Sequence, residues 1–478
     1  MKLYNTSTRK IEEFEPIESD GVGIYSCGPT VYWNQHIGHM YAYTQWDALV
    51  RVLKYLGFKT RWVMNITDVG HLTSDEDVGE DKMEKGAKRE GLSVWEIADK
   101  YIKQFLESME LLNIQKPDVL CRATEHIQEQ IDLIKKIETN GFTYKTKTGL
   151  VFDTSKFPDY ANFSRLELEK QQAGARVEVD TEKKQPWDFL LWVTNQPKHI
   201  MQWDSPWGRG FPGWHVECTA MSVKYLGEKF DIHTGGIEHI PVHHTNEIAQ
   251  AYGAFGQQTA NYWLHNGWLV LKDEKMSKSL GNIVLVTDLV KKGYDPLALR
   301  YLILTSHYRQ GLRFTEKALK GALVSLNKLR KLVSSWKSEQ GRKTLTEEDE
   351  RKMAQYKEEF LVAINQDLNI PQALAVVWQL AKSSVSSREK LDLILDFDQI
   401  LGLKLGETTK VKKIVLPTSE VPLTMMVPVS TATIGRIDDR EVLRGKGEFR
   451  KADDVRKEVE SKGFKLEDTA GGTVVKKN

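Results

Sequence analysis

A β-rich run, Gly23-Ile24-Tyr25-Ser26, stops at Cys27-Gly28-Pro29, and a helical pattern then opens near His36 and His39. Leu49, Val50, Val52, Leu53 and Leu56 carry that pattern to a glycine stop at Gly57, and a strand follows from Thr60 to Asp68. Strand, helix, strand is a βαβ unit, and it constrains the fold more than any other stretch of the chain. The expectation is an α/β protein built on a Rossmann-like, doubly wound parallel sheet. In such a sheet the strand-to-helix crossings lie along one edge, where nucleotides bind and helix N-termini offer unpaired N–H groups to phosphate. His36 and His39 are three apart, so in a helix they share one face, and Gly38 leaves no side chain between a flat base and the backbone. Asn65, Thr67 and Asp68 fall at the same edge as Cys27.

Far downstream stands Lys275-Met276-Ser277-Lys278-Ser279, followed by Leu280-Gly281-Asn282. Two lysines with small hydroxyl residues and a glycine beside them form a cationic loop suited to charge developing on a leaving pyrophosphate. In this order the two elements resemble the HIGH and KMSKS signatures of the class I aminoacyl-tRNA synthetases. Lys82-Met83-Glu84-Lys85 imitates the second signature, but it lacks the serines and reads as coincidence.

At 478 residues the chain calls for about three domains. Lys+Arg 67 against Asp+Glu 66 gives a net charge of +1, so a nucleic-acid partner has to be met by local patches. The three cysteines form no even-spaced framework and point to a reducing compartment. With no apolar leader and no run of about 18 apolar residues, a soluble cytoplasmic protein without a membrane partner is expected.

The domain expectations follow the changes of texture. Residues 1–310 read as the catalytic domain, with an insertion over about 115–200 and the KMSKS-bearing region over about 265–310. Residues 311–404 read as an antiparallel helical bundle, from Leu319, Leu323, Leu326, Leu329 and Val333 and from an Asn369-Ile370-Pro371 helix start. Residues 405–435 read as a linker, and 436–478 as a small C-terminal module with one basic helix and a strand-like tail.

Cys27 and Cys218 lie at strand–helix junctions on the proposed active edge. His243 and Glu247 are four apart at a helix start and project on one face, the spacing of paired metal ligands. Cys, Cys, His and Glu form a zinc donor set, with His233, His239 and His244 as competing ligands. Cys121 has no His or acid beside it and reads as a small core residue.

The surrounding residues are similar to the cysteinyl-tRNA synthetases: a cysteine just ahead of the HIGH element, NITD after the second strand, GWHVEC, FDIHTGG, HHTNEIAQ, KMSKSLGN and DLNIPQAL. The likeness returns in the tail as FRKADDVRKEV and GFKLEDTAGGT. It implies that Cys27, Cys218, His243 and Glu247 hold one Zn²⁺ that takes the thiolate of L-cysteine. It implies that Gly28, Thr67 and Trp214 line the amino-acid pocket, and that His36, Gly38, His39, Lys275 and Lys278 serve ATP, which brings Mg²⁺. The reaction implied is adenylation of cysteine and transfer to tRNA(Cys), by a monomer, with the bundle and the C-terminal module on the tRNA. Departures from the bacterial pattern are Val69-Gly70-His71 after NITD, the charged insertion at 74–90, and residues 405–445. The rivals are a cysteine ligase that transfers the adenylate to an amino sugar, against which the ADDVRKEV tail speaks, and a catalytically silent RNA-binding paralog.

Overall fold

The computed structural model describes residues 1–71, 81–165, 182–271, 274–275, 283–339, 346–407, 440, 443, 448–461, 464–469 and 472–477. The chain divides into two compact units, Met1–Thr408 and Thr409–Asn478.

The first unit is organised by a five-stranded parallel sheet. Its spatial order is Ala260–Asn266, Phe230–Gly236, Gly21–Ser26, Lys59–Ile66 and Val119–Arg122. The first strand in sequence is the central one, and the chain winds outward from it in both directions. The topological switch therefore falls between Gly21–Ser26 and Phe230–Gly236, and the crevice beyond their carboxyl ends is where a doubly wound sheet binds ligands. The strands are buried on both faces and read as near-continuous apolar runs: Trp62, Val63, Met64 and Ile66 are all covered.

The helix Ile37–Tyr55 follows the first strand and packs Met40, Trp46, Leu49, Val50 and Leu53 into the main core. On the other side of the sheet Trp214–Leu226 and His243–Phe255 contribute Val216, Met221, Ile248 and Ala249 to a second core. A four-stranded antiparallel sheet, Thr143–Lys145, Gly149–Phe152, Phe189–Val193 and Phe211–Pro212, interrupts the parallel sheet in sequence. Val119–Arg122 lies inside the stretch read as an insertion yet pairs with Lys59–Ile66 as an edge strand. Four residues are too few to show a pattern in the sequence.

Helices Glu316–Ser338, Glu347–Asn365, Ile370–Lys382 and Ser387–Leu401 form the bundle. Asn369 caps the third of them by accepting from Gln372 N, with proline in its first turn. The bundle is bolted to the sheet domain by buried polar groups. Arg300, fully buried, donates to Asp47 Oδ2 at 2.6 Å and to the carbonyl of Leu401 at 2.6 Å. Asp367 accepts from Tyr4 N at 2.8 Å, the Tyr308 hydroxyl at 2.8 Å and Arg309 Nε at 2.7 Å.

In the second unit the helix Phe449–Ser461 precedes an antiparallel hairpin, Phe464–Thr469 with Gly472–Lys477. Most of the stretch read as a linker lies outside the described residues. No helix among the described residues is long and apolar enough to cross a membrane.

Candidate active site

The crevice at the switch point opens into a cavity of about 640 Å³, lined among others by Cys27, Gly28, His36, His39, Trp214 and Glu238. The central strand delivers Cys27 to its floor. Beside it, Gly28 N donates to Asn65 Oδ1 at 2.7 Å, and a Cβ there would stand 1.6 Å from the Asn65 carbonyl oxygen. Only glycine lets the chain turn this closely past the second strand.

His36 and His39 occupy the mouth of the cavity, but not as two side chains on one helical face. His36 is the N-cap of Ile37–Tyr55, in extended conformation, and its Nδ1 accepts from Gly38 N at 3.1 Å. His39 Nδ1 in turn accepts from His36 N at 3.2 Å, and the two rings stack with centroids 3.7 Å apart. A reciprocal cap needs the same spacing as a shared face, so spacing alone does not distinguish them. Lys275 lies in the short strand Glu274–Lys275, paired with Val270. Lys278 lies outside the described residues.

Opposite the histidine cap is a dense group of thiols, imidazoles and a carboxylate. Trp214 opens the helix Trp214–Leu226, which places Cys218 one turn further along. His243 opens the helix His243–Phe255, which places Glu247 one turn further along, and His243 Nε2 lies 3.1 Å from Glu247 Oε1. One donor atom each from Cys27, Cys218, His243 and Glu247 lie within 4.8 Å of one another, a spread that fits ligands around a single ion. A second set, Cys27, His233, His244 and Glu247, meets the same limit and shares two members with the first. The competitors noted in the sequence are therefore neighbours of the cluster.

Histidines behind the cluster fix three of the four donors. His243 Nδ1 meets His215 Nδ1 at 2.9 Å, Glu247 Oε2 meets His233 Nε2 at 2.9 Å, and Cys27 Sγ lies 3.3 Å from His244 Nε2. His244 continues to His265 at 2.7 Å and thence to the Thr6 hydroxyl at 2.8 Å. Burial pushes the Cys27 thiol up, and the hydrogen bond to Cys27 together with burial holds Cys218 well above the ordinary thiol range. Burial opposes ionisation of Glu247, but His233 and His243 outweigh it and bring the carboxyl down to about 2. Burial disfavours the His243 cation, yet Cys218 and Glu247 beside it hold that imidazole well above its usual value. His215 and His244 are pushed well down by burial and by neighbouring imidazoles.

Thr67 is reached through a carboxylate that sequence reasoning passed over. Its hydroxyl donates to Glu217 Oε2 at 3.0 Å, and Glu217 Oε1 meets His71 Nε2 at 2.5 Å. The His71 ring stacks on Trp214 with centroids 5.6 Å apart. The available signal was a glutamate between Val216 and Cys218 at the start of a helix that packs into the core, since a fully buried carboxylate demands partners. Asp68, by contrast, faces away from the cluster, accepting from Arg122 Nε at 2.6 Å and Thr124 N at 2.9 Å.

Residues 13–324 match the family model described as the class I (C) catalytic domain of tRNA synthetases. A cysteine–tRNA ligase of Treponema denticola is 44% identical, covering 100% of this chain and 99% of its own. Cysteine–tRNA ligase 1 of Burkholderia lata is 44% identical over 99% of this chain and 96% of its own, and the Thermus thermophilus enzyme 39% over 98% of each. Among solved structures, Mycobacterium tuberculosis methionyl-tRNA synthetase bound by methionyl-adenylate superposes with a TM-score of 0.57 at 17% identity, over 80% of this chain and 88% of that one, a likeness of fold. A parallel sheet wound from its centre, a thiol-bearing cleft at the switch point and relatives matched over their whole length agree: the chain belongs to the class I tRNA synthetases, in the cysteine–tRNA ligase family.

Proposed function

We propose that the cleft activates L-cysteine with ATP and passes it to the 3′ end of tRNA(Cys), with the work divided as follows. Cys27, Cys218, His243 and Glu247 hold a zinc ion. The donor set fits zinc: two sulfurs, an imidazole and a carboxylate from four separate positions, three of them backed by an outer histidine that fixes its orientation. When bound, the metal supplies a soft Lewis acid that prefers a thiolate to a hydroxyl. Four protein donors would complete a tetrahedral set, so taking up a substrate thiol would require one of them to give way. Glu247 would be that donor, since His233 already holds its second oxygen.

Trp214 and Gly28 line the amino-acid side of the cavity, and Thr67, buried behind it, braces Glu217. The His36–His39 cap presents the start of a helix to the triphosphate, with Mg²⁺ accompanying ATP, and Lys275 and Lys278 complete the phosphate site. The cysteine carboxylate attacks the α-phosphate in line, and the protein contributes position and charge. The helices between residues 316 and 401 and the module over 436–478 are read as surfaces for tRNA. The chain is read as a monomer acting in the cytoplasm.

The observation that carries this reading is the convergence of two cysteines, a histidine and a glutamate within 4.8 Å at the switch point. Cys218→Ser tests it. The variant is expected to lose stoichiometric zinc and cysteine-dependent ATP–pyrophosphate exchange together; a variant that keeps both removes Cys218 from the site.

A further inference from the structure

The helix Lys82–Glu90 follows the acidic stretch after His71, and its first residue reaches the cleft. Its start is fixed from several sides. Asp81 caps it by accepting from Glu84 N at 2.7 Å, and the other oxygen of Asp81 meets His199 Nε2 at 2.8 Å. Lys82 N donates to the His71 carbonyl at 2.9 Å, and Ile200 N donates to Glu84 Oε1 at 2.8 Å. Gly70 is required for this packing, because a Cβ there would stand 2.1 Å from Asp81 Oδ2.

So anchored, Lys82 sets its ammonium 3.8 Å from the centroid of the Trp214 ring. That indole stacks on His71 and lies edge-on to His243, centroids 6.1 Å apart, so the cation stands on the thiol-bearing side of the cavity. Among the described residues lining the cavity, Lys82 is the lysine or arginine present. A cysteine whose thiol sits on the cluster carries its carboxylate a short, fixed span away. That carboxylate is the nucleophile, so its position sets the geometry of attack.

Resting on the function proposed above, we infer that Lys82 is a substrate-positioning residue whose ammonium, held over Trp214, binds the carboxylate of the amino acid. Lysine acts here as a point charge over an aromatic face, with a charge-assisted hydrogen bond to the carboxylate.

The test separates carboxylate binding from packing. L-Cysteine and cysteamine, which keeps the thiol and lacks the carboxylate, are titrated calorimetrically into the zinc-loaded full-length protein and its Lys82→Met, Lys82→Gln and Lys82→Arg variants. Losing one charged hydrogen bond is expected to weaken L-cysteine about 10- to 100-fold in Lys82→Met and Lys82→Gln. Cysteamine affinity and zinc stoichiometry stay unchanged, and Lys82→Arg recovers part of the loss. Parallel weakening of both ligands, or no change in either, would overturn the inference. If the unmodified protein loads zinc but binds neither thiol ligand, the function reading fails first, and this inference with it.

Discussion

Gly28 tolerates no side chain, and Thr67 is needed for its hydroxyl. A methyl group at residue 28 meets a backbone carbonyl at 1.6 Å, so Gly28→Ala must move the loop that carries Cys27. Misplacement of about 1 Å at a reacting centre costs on the order of 100-fold, and Gly28→Ala should lose about that much in kcat/KM for cysteine activation. The measurement is ATP–pyrophosphate exchange, with zinc content as the check that the cluster survives. Thr67→Val keeps the shape and removes the hydroxyl that donates to buried Glu217. Leaving that carboxylate short of a partner should destabilise the protein by about 1–3 kcal/mol in denaturant titrations, whereas Thr67→Ser should cost less. At this scale the sequence was most informative where chemistry is scarce: Cys27, Cys218, His243 and Glu247 were legible as a donor set, and the structure brings them together. It was least informative for charged residues. Lys82 was dismissed as an imitation of another motif, because nothing in a local string reveals that an aromatic ring 132 positions away will lie beneath it.

Elements in this fold are held by their ends and joints. The helix Ile37–Tyr55 starts with two histidines that cap it for each other, so the residues proposed to meet the nucleotide also fix the start of that helix. The joint between sheet domain and bundle is polar and buried. Arg300→Met would leave Asp47, fully buried, with Arg51 as its one remaining cation among the described residues. Breaking such a pair costs about 3–5 kcal/mol, and the variant should unfold at correspondingly lower denaturant. Asp398 sits at the same joint, accepting from Leu403 N at 2.8 Å and Leu405 N at 2.7 Å. Burial pushes its carboxyl up to about 6, and the two N–H groups and Arg300 offset this only in part. A raised carboxyl is more readily protonated in the folded than in the unfolded chain. Its contribution is therefore full at low pH and declines as pH climbs from about 4 to about 6. Asp398→Asn should flatten that part of the stability–pH curve, read as the urea midpoint across the interval; an unchanged slope would place the titrating group elsewhere. The helix ends and glycine stops here followed from caps and periodicity. The edge strand Val119–Arg122 did not, since its place is decided by pairing with a strand that precedes it by more than fifty residues.

On the scale of the whole molecule, the order of chemistry in the sheet domain and candidate tRNA surfaces beyond it suggests separable reactions. Met1–Thr408 forms its own compact unit with its own cores. A chain ending at residue 408 should keep cysteine-dependent ATP–pyrophosphate exchange and lose most of its tRNA charging. Loss of both activities by a folded truncation would contradict that division. The doubly wound sheet was legible in the order strand, helix, strand between glycine stops, and the bundle in a helical period sustained over many residues. The depth of the histidine network was not, because it is assembled from strands and helices far apart in sequence.

Charging of deacylated total tRNA with labelled cysteine and, in parallel, labelled serine decides whether the cleft selects its amino acid by the thiol. Shape alone separates two such near-isosteres by only about 10- to 200-fold. Acid-stable label is expected from cysteine, with preference over serine well beyond that range, and loss of the preference when Cys218 is replaced. Comparable charging with serine, or cysteine charging by a protein stripped of zinc, would contradict selection by the thiol.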